Sequence, residues 1–189
     1  MAISFGDTMP RDNRKEVLFL DDILQFLTSQ NKDLEDIEIQ KIADNIRLVG
    51  SNSDFATLHK VYKWMIDGVT AVNKKGEPVN VKLIDFENID NNIFREVNQL
   101  SVDYINNGVT KNRRPDVLLY VNGIPVCVIE LKNPADANAT IENAWEQINI
   151  RYWRDIPGLL HYCPLACISD GVKTRLGTVR TPYEHFYAW

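Results

Sequence analysis

Three charged residues, Asp116, Glu130 and Lys132, interrupt two otherwise apolar runs in the stretch from residue 113 to 134, Arg-Arg-Pro-Asp-Val-Leu-Leu-Tyr-Val-Asn-Gly-Ile-Pro-Val-Cys-Val-Ile-Glu-Leu-Lys-Asn-Pro. A charge in such a setting costs free energy unless it is paired or binds a metal ion. Two carboxylates supply hard oxygen ligands suited to Mg²⁺, which keeps waters and accepts phosphate oxygens. The carbonyl of Leu131 is a further candidate ligand. An ion held this way activates water and stabilises charge developing on a phosphate. A neighbouring lysine can orient or deprotonate the attacking water, or neutralise the transition state. These are the parts for hydrolysing a phosphodiester.

The elements that must position them are two strands joined at Asn122-Gly123, a strong hairpin signal. Glu130 and Lys132 are two apart on a strand and share a face. Asp116 joins them only under a condition. A two-residue loop with an unbroken ladder would set Asp116 opposite Ile129 and turn it away from Glu130. A three-residue loop with Gly123 left-handed would set it opposite Val128, with the carboxylates as diagonal neighbours. The hairpin is therefore expected to carry an odd-residue loop or a bulge. Glu-x-Lys alone is a common strand pattern and ordinarily a half-exposed ion pair. Pro115-Asp116, placed across the same apolar hairpin, is what turns it into a candidate site.

Helical spacing of Val17, Leu18, Leu20, Ile23, Leu24 and Leu27 predicts a helix over 14–29. Leu34, Ile37, Ile42 and Ile46 form a possible second amphipathic face. A third helix is expected over 54–67, with Ser53 as its cap, Phe55, Leu58, Val61, Tyr62 and Met65 as its stripe, and Gly68 as its stop. The pattern then becomes extended. Lys74-Lys75-Gly76-Glu77 reads as a turn, 79–86 as a strand, 88–92 as a polar loop, and 93–104 as a strand with imperfect alternation. A basic loop containing Lys111, Arg113 and Arg114 leads into the hairpin. Beyond it, Ile141, Ala144, Trp145, Ile148 and Tyr152 make an apolar seam over 138–154. Gln147 and Arg151 share a neighbouring polar face. Ile156-Pro157-Gly158 ends that helix, Leu165 to Ser169 is a strand, and Asp170-Gly171 turns into its return over 172–179. This order predicts an α/β fold, with a central mixed β-sheet flanked by helices.

The 189 residues suffice for a single domain without staples, mainly helical over 1–70. Neither a run of membrane-spanning length nor a secretory leader is evident. Three cysteines, Cys127, Cys163 and Cys167, form an odd count. A cytoplasmic location is expected, with Cys127 buried and reduced. A zinc site at His161, Cys163 and Cys167 is disfavoured, because the paired spacing is missing. The net charge of −5 argues against a stand-alone, non-specific nucleic-acid binder. Lys111, Arg113, Arg114 and Arg151 are candidate DNA contacts. A second basic group, Lys173, Arg175 and Arg180, lies near the end. The aromatic stretch 182–189 reads as a chain meant to continue.

On Pro115-Asp116 and Glu130-Leu131-Lys132 the chain resembles the PD-(D/E)xK nuclease superfamily. More narrowly, it is similar to the N-terminal nuclease domain of the endonuclease (R) subunit of type I restriction enzymes. The matching stretches are Asn91-Asn92-Ile93-Phe94, Val97-Asn98-Gln99, Arg114-Pro115-Asp116-Val117, Asn122-Gly123-Ile124-Pro125 and Val128-Ile129-Glu130-Leu131-Lys132-Asn133-Pro134. Ala144-Trp145 with Gln147, Ile156-Pro157 and Ser169-Asp170-Gly171 continue the series, so the likeness covers roughly 79–180, the expected nuclease core.

The resemblance implies Mg²⁺-dependent cleavage of duplex DNA after ATP-driven translocation, with Asp116 and Glu130 as metal ligands and Lys132 as the catalytic lysine. Gln147 would belong to a glutamine–tyrosine element whose tyrosine follows four residues later. Here Arg151 holds that position, and Tyr152 comes one residue after it. The sequence has no Walker A pattern, so ATP is expected only through helicase-like motor domains further along the subunit. The partners implied are double-stranded DNA and the methyltransferase (M) and specificity (S) subunits. The rival readings are a catalytically silent DNA-binding or docking module of the same fold, and another nuclease of the superfamily.

Overall fold

The computed structural model describes residues 2–49, 55–133 and 140–189. Its centre is a seven-stranded mixed sheet. The strands are β1 (Ala2–Phe5), β4 (Phe94–Asn98), β7 (Val117–Val121), β8 (Ile124–Leu131), β9 (Leu165–Ser169), β10 (Thr174–Thr178) and β11 (Tyr187–Ala188), lying side by side in that order. The β1–β4 and β8–β9 pairs are parallel and the others antiparallel. Two hairpins stand apart, β2 (Val69–Val72) with β3 (Pro78–Val81), and β5 (Val102–Asn106) with β6 (Val109–Arg113). The sheet and its helices form the expected mixed α/β architecture.

Helix α1 spans Leu20–Gln30, α2 Asp36–Val49 and α3 Phe55–Asp67. The first begins later than the sequence suggests. Val17 and Leu18 are buried ahead of it in extended chain, where the Glu16 carboxylate accepts from the Leu18 N–H. In α2 the buried face is Ile39, Ile42, Ala43 and Ile46, while Ile37 is exposed. Of the expected positions Leu34, Ile42 and Ile46 are buried and Ile37 alone departs, its place on the face taken by Ile39 and Ala43. Gly68 stops α3 as expected, at φ +82°, with its N–H returned to the Trp64 carbonyl. The expected cap Ser53, the helix start near 138, and Pro134 lie outside the described residues.

Residues 93–104 are two strands, not one. The chain breaks at Gln99, which takes a left-handed φ of 55°, and β4 and β5 then join different sheets. The basic stretch read as a loop is β6, which pairs with β5 around Asn107-Gly108. Of the strand expected over 79–86 only 79–81 lies in β3, and β1 and β2 carried no signal strong enough to read.

The helix after the hairpin is composite: α4 (Ile141–Glu146), a π-helical stretch (Gln147–Tyr152) and α5 (Trp153–Asp155). Thr140 caps it, its hydroxyl accepting from the Asn143 N–H. Short α6 (Pro157–Leu160) follows, with proline in its first turn. The seam Ile141, Ala144, Ile148 and Tyr152 is buried against the sheet. Among the described residues no helix is long and apolar enough to cross a membrane. The three cysteines are free and buried.

Candidate active site

The hairpin satisfies the face condition by a bulge. Asn122 and Gly123 both have positive φ, 50° and 78°, as a two-residue turn of the favoured twist requires. Val121 pairs with Ile124 and Tyr120 with Pro125, and the register then slips so that Leu119 pairs with Cys127. Val126 is the extra residue. The cause stands beside it, since Pro125 has no N–H for the ladder and is tolerated at bulges. Beyond the slip Val117 pairs with Ile129, the last pair of the ladder, and continuing that register past the strand end puts Asp116 on the face of Glu130. The two carboxylates thus share a face, as the expected irregularity in the hairpin requires, with the offset set by the bulge rather than by a three-residue loop.

The turn is held in the body of the protein. The Asn122 carboxamide accepts from the Ile93 N–H (2.7 Å) and donates to the Leu83 carbonyl (2.9 Å) and Asn92 Oδ1 (2.9 Å). The Gly123 carbonyl accepts from the Phe19 N–H ahead of α1. The site end of the hairpin therefore starts from a fixed tip.

Glu130 is 1% exposed, on the face of β8 that carries buried Val128. Its Oε1 accepts from Gln147 Nε2, and its Oε2 from the Tyr152 hydroxyl at 2.8 Å. Lys132 Nζ donates to Gln147 Oε1 at 2.7 Å and stands 3.6 Å from Glu130 Oε1. Asp116 Oδ2 accepts from the Leu131 N–H at 2.8 Å, which brings that peptide to the carboxylate. Asp116, Glu130, Lys132 and Gln147 are thus gathered in one place, with the Leu131 backbone alongside.

Tyr152 belongs to the same group, which its spacing from Gln147 did not suggest. An α-helix would bring residue 151 over residue 147. The π-helical turn holds one more residue, so 152 returns to that side and Gln147 Nε2 also donates to the Tyr152 hydroxyl at 2.8 Å. Arg151 points away and is exposed. Gln147 therefore faces the carboxylates with Tyr152, not a polar face with Arg151.

Burial, with the nearby charge of Asp116 second, pushes the Glu130 carboxyl up to about 8. The Tyr152 hydrogen bond and Lys132 pull the other way without prevailing. Burial and the Glu130 charge likewise raise the Tyr152 phenol, so it stays protonated and a donor. A buried carboxylate facing a second one calls for a compensating cation. Among the described residues no group of three or more His, Cys, Asp or Glu side chains gathers for a metal. Two carboxylates and a backbone carbonyl fit an ion that keeps several waters and takes substrate oxygens, the habit of Mg²⁺.

Of the basic residues considered for DNA, Lys111, Arg114 and Arg151 are exposed. Arg113 is engaged otherwise. Its guanidinium pairs with Asp155 Oδ2 (Nε at 2.7 Å) and lies over the Tyr104 ring, fastening the β5–β6 hairpin to α5. Arg175 and Arg180 lie over the rings of Tyr183 and Trp153.

A family model described as the N terminus of the type I restriction enzyme R protein matches residues 4–185. The chain belongs to that family. Among its curated relatives is a protein of Methanocaldococcus jannaschii, provisionally named type I restriction enzyme MjaIXP endonuclease subunit, 36% identical over 158 residues. That match takes in 81% of this chain and 14% of the relative. The type I restriction enzyme HindI endonuclease subunit of Haemophilus influenzae is 31% identical over 186 residues, 95% of this chain and 17% of its own length. This R-protein N-terminal region thus spans about one sixth of the relatives it matches. Both the motif succession and the mixed sheet agree with a PD-(D/E)xK-like fold.

Proposed function

We propose that this R-protein region is a Mg²⁺-dependent endonuclease domain that hydrolyses phosphodiester bonds of duplex DNA. The observation that carries the reading is that Asp116, bonded to the Leu131 N–H, lies close enough to Glu130 to raise its carboxyl, with Lys132 tied into the same network through Gln147. Asp116, Glu130 and the Leu131 carbonyl would hold the ion. When bound, Mg²⁺ supplies charge stabilisation and a more acidic water.

The chain's own groups do the remaining work. Tyr152 and Gln147 each donate to one Glu130 oxygen, which fixes the plane of the carboxylate. Gln147 Oε1 holds Lys132 Nζ toward the same point, so the ammonium is positioned before DNA arrives. From there it orients the attacking water or offsets charge on the phosphate. In this reading motor domains elsewhere in the subunit consume ATP and move the DNA, and M and S subunits complete the enzyme. A cytoplasmic setting follows from such a substrate.

The test is cleavage of a DNA substrate by the full-length subunit in its complex. Asp116→Ala, Glu130→Ala and Lys132→Ala should each abolish cutting while ATP hydrolysis continues. Unimpaired cutting by any of the three would overturn its assignment.

A further inference from the structure

Beside the carboxylates lies an open groove of about 460 Å³, bordered by Phe5, Asn98 and Gln99 as well as Asp116, Leu131 and Lys132. Three independent features set the first three residues in place. Asn98 ends β4 opposite Val117 and so shares Val117's face, at the end of the sheet where the groove opens beside Asp116. Gln99 then leaves the strand at φ 55°, a conformation that costs energy for any side chain with a Cβ. It is kept there by its N–H, which donates to the Asp116 carbonyl at 2.9 Å, and by the fully buried Leu100 that follows. Lastly, Phe5 pairs in parallel register with Asn98, and the next residue, Gly6, lies so flat on Leu100 that a Cβ there would strike its backbone.

Strained backbone held beside a reactive centre is a recurrent mark of function. The side chains presented are two carboxamides and an aromatic ring. The Gln99 carboxamide makes no hydrogen bond within the described residues, and Asn98 Nδ2 reaches only Glu96 Oε1 at 3.4 Å. Carboxamides donate to phosphate oxygens without carrying charge. A lysine or arginine in their place would pair with Asp116 and compete with a cation there; a neutral donor does not.

Resting on the nuclease reading above, we propose that Asn98 and Gln99 grip the backbone phosphate next to the one cut, with Phe5 packing on the adjoining sugar. They are binding residues, touching DNA beside the reacting atoms.

The experiment uses the full-length subunit in its complex, with a duplex oligonucleotide and Mn²⁺ alone as separate probes. Gln99→Gly keeps the left-handed backbone and removes the carboxamide, Asn98→Ala removes the other, and Gln99→Asn restores a carboxamide on a residue tolerant of this φ. The Gly and Ala variants together should weaken duplex binding and raise KM by roughly tenfold. Mn²⁺ affinity should stay as in the wild type, and Gln99→Asn should recover most of the loss. Unchanged duplex binding, or a Gln99→Asn variant as weak as Gln99→Gly, would overturn the subsite. An Asp116→Ala protein that binds Mn²⁺ and cuts normally would instead overturn the nuclease reading beneath it.

Discussion

Gln147 and Tyr152 are five residues apart, yet both donate to the carboxylate of Glu130, and the Gln147 amide also donates to the Tyr152 hydroxyl. A π-helical turn spanning just these residues makes the meeting possible. Insertion of one residue into a helix would ordinarily rotate everything after it by about 100°, as 3.6 residues per turn implies. Here the wider turn absorbs the extra residue, and the tyrosine keeps its place under the site.

The Tyr152 hydroxyl favours the ionised form of Glu130. Tyr152→Phe should therefore raise the pH at which Mn²⁺ binding reaches half its plateau, and weaken binding at pH 7 by about tenfold, the worth of one hydrogen bond to a charged group. The fold should persist, because the ring remains to fill the core. Calorimetric titration at several pH values checks both statements. An unchanged pH profile would remove Tyr152 from the site's working parts.

Glu130 itself should leave a mark on stability. Its carboxyl ionises near 4.5 in the unfolded chain and near 8 in the folded one, so the folded state keeps a proton that the unfolded state has released between those values. The contribution is fully present below pH 4.5 and lost as pH rises through 8. In EDTA, the unfolding free energy of wild type should fall across this window relative to Glu130→Gln, whose carboxamide does not titrate. Saturating Mg²⁺ should close the gap at the alkaline end. Parallel wild-type and Glu130→Gln curves in EDTA would contradict it.

Gly123 is predicted to be intolerant of substitution. At φ +78° a side chain is strained, and a Cβ would collide with the Phe19 carbonyl. Gly123→Ala should cost about 3 kcal/mol, combining left-handed strain with displaced backbone. Urea unfolding measures this directly.

The basic residues should separate into two kinds. Arg113→Ala leaves Asp155, whose side chain is 3% exposed, with Arg154 as its remaining partner, and should destabilise by about 3 kcal/mol. Lys111→Ala and Arg114→Ala should leave stability unchanged and each reduce the salt dependence of DNA binding by about one unit of slope. A normal Arg113→Ala melting curve with a reduced salt slope would restore Arg113 as a phosphate contact. Arg154 and Arg113 also hold the Asp155 carboxyl down to about 2, so this cluster's contribution is present above the ordinary pKa of 3.8 and lost only as pH falls toward 2.

Much of this site was legible in the sequence because strand alternation is a hard constraint. Charges two apart must share a face, and the requirement that Asp116 join them forced an irregularity into the hairpin. Pro125 was the available signal for where that irregularity falls. Tyr152 was harder, because helical spacing read with 3.6 residues per turn assigns the site position to Arg151, and nothing local announces a π turn. The break at Gln99 was obscured for a related reason. Apolar residues continue through 93–104, and the left-handed backbone is imposed by the Asp116 carbonyl and buried Leu100 rather than by any preference of glutamine. Arg113 reads as one of three basic neighbours until Asp155, 42 residues later, is brought against it.

The central claim is that Asp116 and Glu130 form one divalent-cation site. Titrating Mn²⁺ into wild type, Asp116→Ala and Glu130→Ala, with heat as the signal, tests it most directly. Saturable binding by the wild type that is lost in both variants is the predicted result. Equal weak binding by all three proteins would contradict it.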